Sequence, residues 1–365
     1  MALPDPLPLN SFADILRIET VKWQLQRFDQ ISGMGSGDVL AAQLAPPRIK
    51  GTVTLATMYH DQAAQVQALI ESLDGPMRSF YLYAPQKAYP SADPDGALLD
   101  NMLFNGGFEG GSSSWSAGGV GGGTVTSDAA RSGTYSMRLD RPATTYAEIY
   151  QGRPASAGAL CRASVWVRSD VATSTGIGLI IQFLDGANAS LSFAGITTNP
   201  ASTDWTRVAI EAVAPAGTAT AVIRPRLYPS SAAPAVYFDD AHLAVAGATR
   251  TPAINSVGAN NKSLRLSGLP SGYVLTAGDY LSYDYGSSPT RRAFHRIVET
   301  VAADAAGLTP LFEVRPHLAS GITTGLSVTL RKPAAKVFIV PETFDPGTAR
   351  SMVTEGMQFE VMQRP

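Results

Sequence analysis

The chain has 365 residues, with 28 Lys and Arg against 30 Asp and Glu, a formal net charge of -2. Only 16% of residues are charged, which excludes a nonspecific electrostatic grip on nucleic acid by the whole chain. A single cysteine excludes an intrachain disulfide framework and a cysteine-rich zinc site, and the length suits two or three domains rather than one core.

The 34 glycines and 25 prolines favour many turns over long helices. His60, His242, His295 and His317 are scattered, so no His-x-x-x-His pair seeds a metal site. No run approaches 18 uncharged apolar residues, so no membrane insertion is expected. The opening MALPDPLPLN lacks the basic start and apolar run of a secretory signal.

In chain order, Val21, Trp23, Leu25 and Arg27 alternate with Lys22, Gln24 and Gln26, the period of a half-buried strand. A second strand is predicted from Ile49 to Ala56. The period then changes: Val66, Leu69, Ile70 and Leu73 follow helical spacing, with Asp61 as a cap and Gly75-Pro76 as the stop. Ser79 to Tyr83 reads as the next strand, and a proline-spaced loop runs from Pro85 to Gly96.

Composition shifts at Asn101. No lysine occurs between Lys87 and Lys262, and residues 106 to 123 carry nine glycines, a loop signal. Beyond them short alternating runs recur: Cys161 to Arg168, Leu179 to Leu184, Thr206 to Ala212, Ala219 to Tyr228 and Ala235 to Ala246. Short strands between Gly, Pro and Asp turns argue for a sandwich over 101–248. From Thr251 onward further strands fit Ser263 to Ser267, Asp279 to Tyr285, Ala293 to Val301, Leu311 to Val314, Leu326 to Lys332, Ala335 to Val340 and Gln358 to Gln363. The stretches flanking 101–248 look like two crossings of one seam. Segments 1–100 and 251–365 are therefore expected to form one split domain, interrupted by the middle one; three domains in series is the plainer alternative.

The middle segment carries Asn101, Leu103, Asn105, Gly106, Phe108 and Glu109, then Trp115, Ala130 to Gly133, Ser136 to Leu139, Ser164 to Arg168, Trp205 and Tyr237 to Leu243. This set resembles the jelly-roll carbohydrate-binding modules related to those of xylanases and glucanases. The resemblance implies a structural calcium where the first strand meets the last, and assigns Glu109 and Asp240 to it. Carboxylates with backbone carbonyls would suit that hard cation; the plainer reading is a pair of turn carboxylates. A sugar site would need exposed aromatics, for which Trp166, Trp115 and Tyr146 are the candidates, with Tyr150 and Trp205 also large enough. Trp166 alternates with Val165 and Val167 and so falls on the polar side with Arg168.

The last segment carries Leu275 to Leu281, Arg292 to Val298, Ala303 to Gly307 and Phe312 to Leu318, a β-meander with Gly-Asp and Ala-Asp-Ala-Ala-Gly turns. It resembles tail proteins of long-tailed bacterial viruses and gene-transfer particles, the distal tail protein above all. In that family a belt domain forms a hexameric ring beneath the tail tube and carries a variable peripheral sandwich. Here the belt closes after the sandwich, a departure from the family plan. The resemblance implies an all-β chain with one helix and an inserted jelly-roll. It also implies a homo-oligomer that contacts tail tube and hub proteins. The particle would be assembled in the host cytoplasm and sit at the tail tip of the virion. Its sandwich would face host surface glycans, and DNA would pass through the lumen without specific binding. Arg291, Arg292 and Arg296 could meet acids on a neighbour or line that passage; a solvated turn is the plainer reading.

No Gly-x-Ser-x-Gly elbow, Walker loop or Rossmann fingerprint is present, and no catalytic residue is expected. Two readings remain, a structural ring component of a viral tail and a stand-alone glycan-binding protein.

Overall fold

The computed structural model describes all residues except 1–3, 95, 121, 172–175, 200–202, 230–234, 249 and 365. The fold is all-β, and every strand pair in its sheets is antiparallel. Among the described residues the one helix of several turns is His60–Glu71, which buries Ala63, Val66 and Ile70 on one face. Asp61 lies in its first turn and does not cap it; Tyr59 occupies the cap position without a side-chain bond.

Strands from both ends of the chain share one sheet, in the order Ile18–Gly33, Val39–Leu55, Gln358–Gln363, Ala335–Ile339 and Phe80–Leu82. Their alternation places Val21, Trp23, Val53, Phe80, Val337, Phe359 and Val361 in one core with the helix. Trp23 pairs across the strands with Gly51. A Cβ on Gly51 would stand 2.5 Å from the Trp23 ring, so only glycine leaves the indole room to lie across the sheet. The C-terminal segment thus returns as a core strand.

The first two strands run far beyond this sheet. Gln358–Gln363 covers the hairpin from Lys50 to Thr54, whereas the hairpin continues from Phe28 opposite Ala45 to Gly33 opposite Val39. This outer ribbon has no third strand among the described residues, and it leaves Ile31, Leu40 and Leu44 at least 62% exposed.

Residues 116–245 form two five-stranded sheets, with strand orders 190–198, 177–184, 220–227, 147–154, 116–119 and 206–213, 160–169, 235–245, 136–140, 124–126. Their facing sides bury Met137, Val165, Val167, Phe238 and Leu243 against Ile149, Leu179, Ile181, Phe183 and Ile223. Each such side chain contributes about 1.5–3 kcal/mol, so this core outweighs any ion pair in holding the sandwich together. Chain entry and exit lie side by side: the Met102 amide donates to Leu243 O at 2.8 Å, and Asn101 Oδ1 accepts from the Leu103 and Leu243 amides.

The third core belongs to a six-stranded sheet built from 253–257, 263–267, 312–315, 291–297, 280–285 and 328–329. It buries Leu264, Leu266, Leu281, Tyr283, Phe312 and Val314. Phe294 links it to the first core, 5.3 Å from the Trp23 ring and stacked on Tyr280 at 5.0 Å. Arg296 donates to Trp23 O and Tyr280 Oη, and Arg292 to Asp284 and Ala334 O. Two of the three arginines singled out in the sequence therefore brace this junction, and only Arg291 is exposed.

Candidate functional site

Strand alternation sends two kinds of residue to opposite sides of the 177–184, 220–227 and 147–154 strands. Ile177, Leu179, Ile181, Ile223 and Ile149 point into the core, while register places Gly178, Ile180 and Gln182 beside Arg226, Arg224 and Val222 on the outside. Arg226 in turn faces Glu148 across the next pair. The outer face is thus a charged floor rimmed by Tyr146, Tyr150, Tyr228 and, from the neighbouring edge strand, Phe193.

Glu148 organises this floor. Its carboxylate is only 2% exposed and accepts from Arg226 Nε and Nη2 at 2.9 and 2.7 Å, and from Arg224 Nη1. Arg224 Nε donates to Gln182 Oε1 at 2.7 Å. The guanidinium groups then lie against aromatic rings: Arg224 4.6 Å from the Tyr150 centroid, Arg226 3.8 Å from Tyr146 and 5.7 Å from Tyr228. The bonds to Glu148 hold Arg226 above its usual pKa against the opposing effect of burial. Fixed forks on a buried carboxylate hold the rings in place. Gly178 gives Tyr228 room, since a Cβ there would meet its ring at 3.0 Å. A hollow of about 480 Å³ lies on this face, lined by Tyr146, Tyr228, Ile180, Phe193 and Arg226.

Aromatic rings over a floor of fixed donors and acceptors suit a sugar ring, which offers apolar C–H faces and an equatorial belt of hydroxyls. Of the aromatics named from sequence, Tyr146 and Tyr150 lie here. Trp115 does not: it is 9% exposed, its ring stands 5.2 Å from Phe108, and its Nε1 donates to Asn105 O at 2.9 Å. It is a core residue that fastens the glycine-rich loop. Trp166 lies on the outer side of the opposite sheet, as its alternation implied, but Arg131 stacks over its ring at 3.7 Å. Glu148, Arg224, Arg226, Tyr228 and Phe193 went unnamed in the sequence reading. Their signal was the alternation of Arg224 and Arg226 with Ile223 and Leu227, and of Tyr146, Glu148 and Tyr150 with Ala147 and Ile149.

Glu109 and Asp240 both reach the loop around residues 131–135, each through its own hydrogen bonds. Glu109 Oε1 accepts from the Thr134 and Tyr135 amides at 2.8 and 2.9 Å. Asp240 is held by Arg131 Nη1 at 2.6 Å and Ser132 Oγ at 2.7 Å. Its buried neighbour Asp239 accepts from the amides of Arg131, Ser132 and Asp240, and burial pushes its pKa up to about 6. Among the described residues no three acidic, histidine or cysteine side chains converge as a metal set. The cation beside Asp240 in this arrangement is the Arg131 guanidinium, which a calcium ion held by Glu109 and Asp240 would have to displace.

No protein-family model matches the sequence, and no curated protein does. Solved structures that resemble the chain include a phage tailspike domain and several carbohydrate-binding modules. The enzymatically active domain of bacteriophage CBA120 tailspike protein 4 is 19% identical, with 40% of this chain and 21% of that chain covered and a TM-score of 0.34. TmCBM61, solved with β-1,4-galactotriose, is 20% identical over 39% of this chain and 97% of that one, with a TM-score of 0.31. The CBM22-1 xylan-binding domain of Paenibacillus barcinonensis Xyn10C is 14% identical over 39% and 93%, with a TM-score of 0.33. This chain spans about a fifth of the length of that tailspike domain.

Proposed function

We propose that this protein is a non-enzymatic structural component of a viral tail tip whose sandwich contacts host-surface glycans. The observation that carries the glycan part is the outer face built on Glu148, where two fixed arginines and Gln182 lie among four aromatic rings. Binding without hydrolysis fits it, because a glycosidase needs a second carboxylate facing the first with one free to move a proton. Both Glu148 oxygens are spent on guanidinium groups.

On this reading residues 1–100 and 251–365 make one ring-forming unit, and 101–248 is an insertion into it. The sheet shared by 18–33, 39–55 and 358–363, together with the paired crossings at Asn101 and Leu243, supports that division. The outer ribbon supports self-association: two strands alone are marginally stable in water, and its open edges and apolar side chains are those of an interface. Six copies, contact with tail tube and hub proteins, and a lumen that passes DNA belong to the same proposal. The alternative, a stand-alone lectin, predicts a monomer.

Two measurements on the full chain test it. Light scattering with single-particle imaging, alone and on assembled tails, should give a closed ring; a monomer absent from every assembly would leave the lectin account. A screen of bacterial surface oligosaccharides should give binding that is lost in Tyr146→Ala and Tyr150→Ala, and no binding across the screen would remove the glycan role.

A further inference from the structure

The outer face around Glu148 changes character from strand to strand. On 147–154 and 220–227 it is charged, with Arg224 and Arg226 both donating to Glu148. On 177–184 and the edge strand 190–198 it turns apolar. Ile180 stands opposite Gly195 there, and Phe193, 60% exposed, stands opposite Gln182. Gln182 itself is engaged on the charged side, where its Oε1 accepts from Arg224 Nε.

Gly195 lies inside the edge strand. The pairing register is unbroken around it and its φ is not positive, so neither a bulge nor a turn calls for glycine. A Cβ on it would meet Ile180 Cγ1 at 3.3 Å. The missing side chain leaves Ile180 bare toward the hollow of about 480 Å³, which Phe193, Ile196, Tyr146, Tyr228 and Arg226 also line. A glycine inside a strand weakens it, and marks a place where a ligand comes close.

The polar group nearest this apolar wall is already committed. Arg226 Nε and Nη2 donate to Glu148, and Nη1 donates to Tyr228 Oη at 3.5 Å. The side chains of Ile180, Phe193 and Ile196 offer no donor or acceptor. A hydroxyl set against them would give up its bonds to water with nothing in return, whereas a methyl group gains by leaving water.

We propose that the hollow seats a methyl substituent of the saccharide, so that the preferred ligand is a deoxy or acetylated sugar chain rather than a fully hydroxylated one. The substituted ring lies along Tyr146 and its methyl group points between Ile180 and Phe193. The inference rests on the reading of the Glu148 face as a glycan site.

The test is calorimetric titration of the full chain with matched neutral oligosaccharides of one linkage: fully hydroxylated, 6-deoxy and O-acetylated. One methyl group in an apolar pocket should make the substituted ligand about tenfold tighter than its hydroxylated parent. Phe193→Ser should erase that preference while the parent still binds. Gly195→Ala, which lays a methyl of the protein's own over Ile180, should erase it too, and it serves alone if Phe193→Ser does not fold. A gain for the 6-deoxy chain alone names a C-methyl group, a gain for the acetylated chain alone names an acetyl group, and a gain for both names any methyl. Equal affinity for all three, or a preference that survives in both variants, overturns this inference and leaves the glycan reading standing. Binding of none of the three, with none in the wider oligosaccharide screen, overturns the glycan reading and the methyl seat with it.

Discussion

Replacing Glu148 by alanine strips Arg224 and Arg226 of their shared counter-charge. The carboxylate is 2% exposed and the two arginine side chains 17% and 14%, so solvent cannot take over its role without the floor opening. Breaking a buried ion pair from one side costs about 3–5 kcal/mol, because the remaining charge stays desolvated. For a unit the size of the sandwich, 1 kcal/mol moves the melting temperature by about 2–4 °C, so Glu148→Ala should lower it by about 10 °C. Glu148→Gln keeps an acceptor oxygen but no charge, and should cost less, about 1.5–3 kcal/mol. Scanning calorimetry with urea denaturation measures both. Sugar affinity should fall in parallel, since the rings of Tyr146 and Tyr150 rest on the released guanidinium groups. A Glu148→Ala protein within about 1 kcal/mol of the wild type would refute the reasoning, showing that the tyrosine rings alone balance the two charges.

Other outcomes follow from the same geometry. Because Arg131 occupies the place of a cation beside Asp240, wild-type melting should be the same in millimolar calcium and in chelator, while Arg131→Ala should melt earlier and gain a calcium response. A wild-type stabilisation by calcium would show that the ion displaces the guanidinium. His295 is buried, with Nδ1 donating to Pro316 O at 2.7 Å and Nε2 accepting from Tyr283 Oη at 3.1 Å, and burial lowers its pKa to about 4. A histidine held neutral contributes stability that is lost on acidification from its unfolded pKa towards the folded one. About 3 kcal/mol should therefore disappear between pH 6.5 and 4, and His295→Gln should flatten the slope in pH-dependent urea denaturation. Asp239 acts in the opposite sense: with its pKa raised to about 6, its contribution is present near pH 4 and fades as pH rises through 6, a trend that Asp239→Asn should remove. Replacing residues 31–41 of the ribbon by a two-residue Asn-Gly turn should leave monomer stability within about 1 kcal/mol and abolish self-association in light scattering.

The sequence was most legible where one strand face is wet and the other dry. Cys161 to Arg168, Ser263 to Ser267 and Gln358 to Gln363 alternate cleanly, and their strands lie within a residue of the expected bounds. The ribbon was not legible beyond Phe28 and before Ile49. Both its faces meet solvent, so Ala41, Ala42, Leu44 and Ala45 need no alternation, and Pro46-Pro47 reads as a break. The strand 190–198 was missed for a related reason: at the sheet edge it leaves Leu191, Phe193 and Ile196 exposed. Strand 328–329 is shorter than the expected Leu326 to Lys332. Trp115 and Trp166 drew attention as large aromatics, yet size does not tell a platform from a core plug. Which ring lies over which guanidinium depends on pairing between strands 70 residues or more apart, such as Glu148 with Arg226, and no local pattern encodes that register.

The most direct test of the glycan-binding claim is hydrogen–deuterium exchange of the full chain with and without an oligosaccharide taken from the binding screen. The account predicts slowed exchange confined to the strands around Tyr146 to Tyr150, Gly178 to Gln182, Phe193 to Thr197 and Val222 to Tyr228. Protection around Trp166 and Arg131 instead, or none at all, would contradict it.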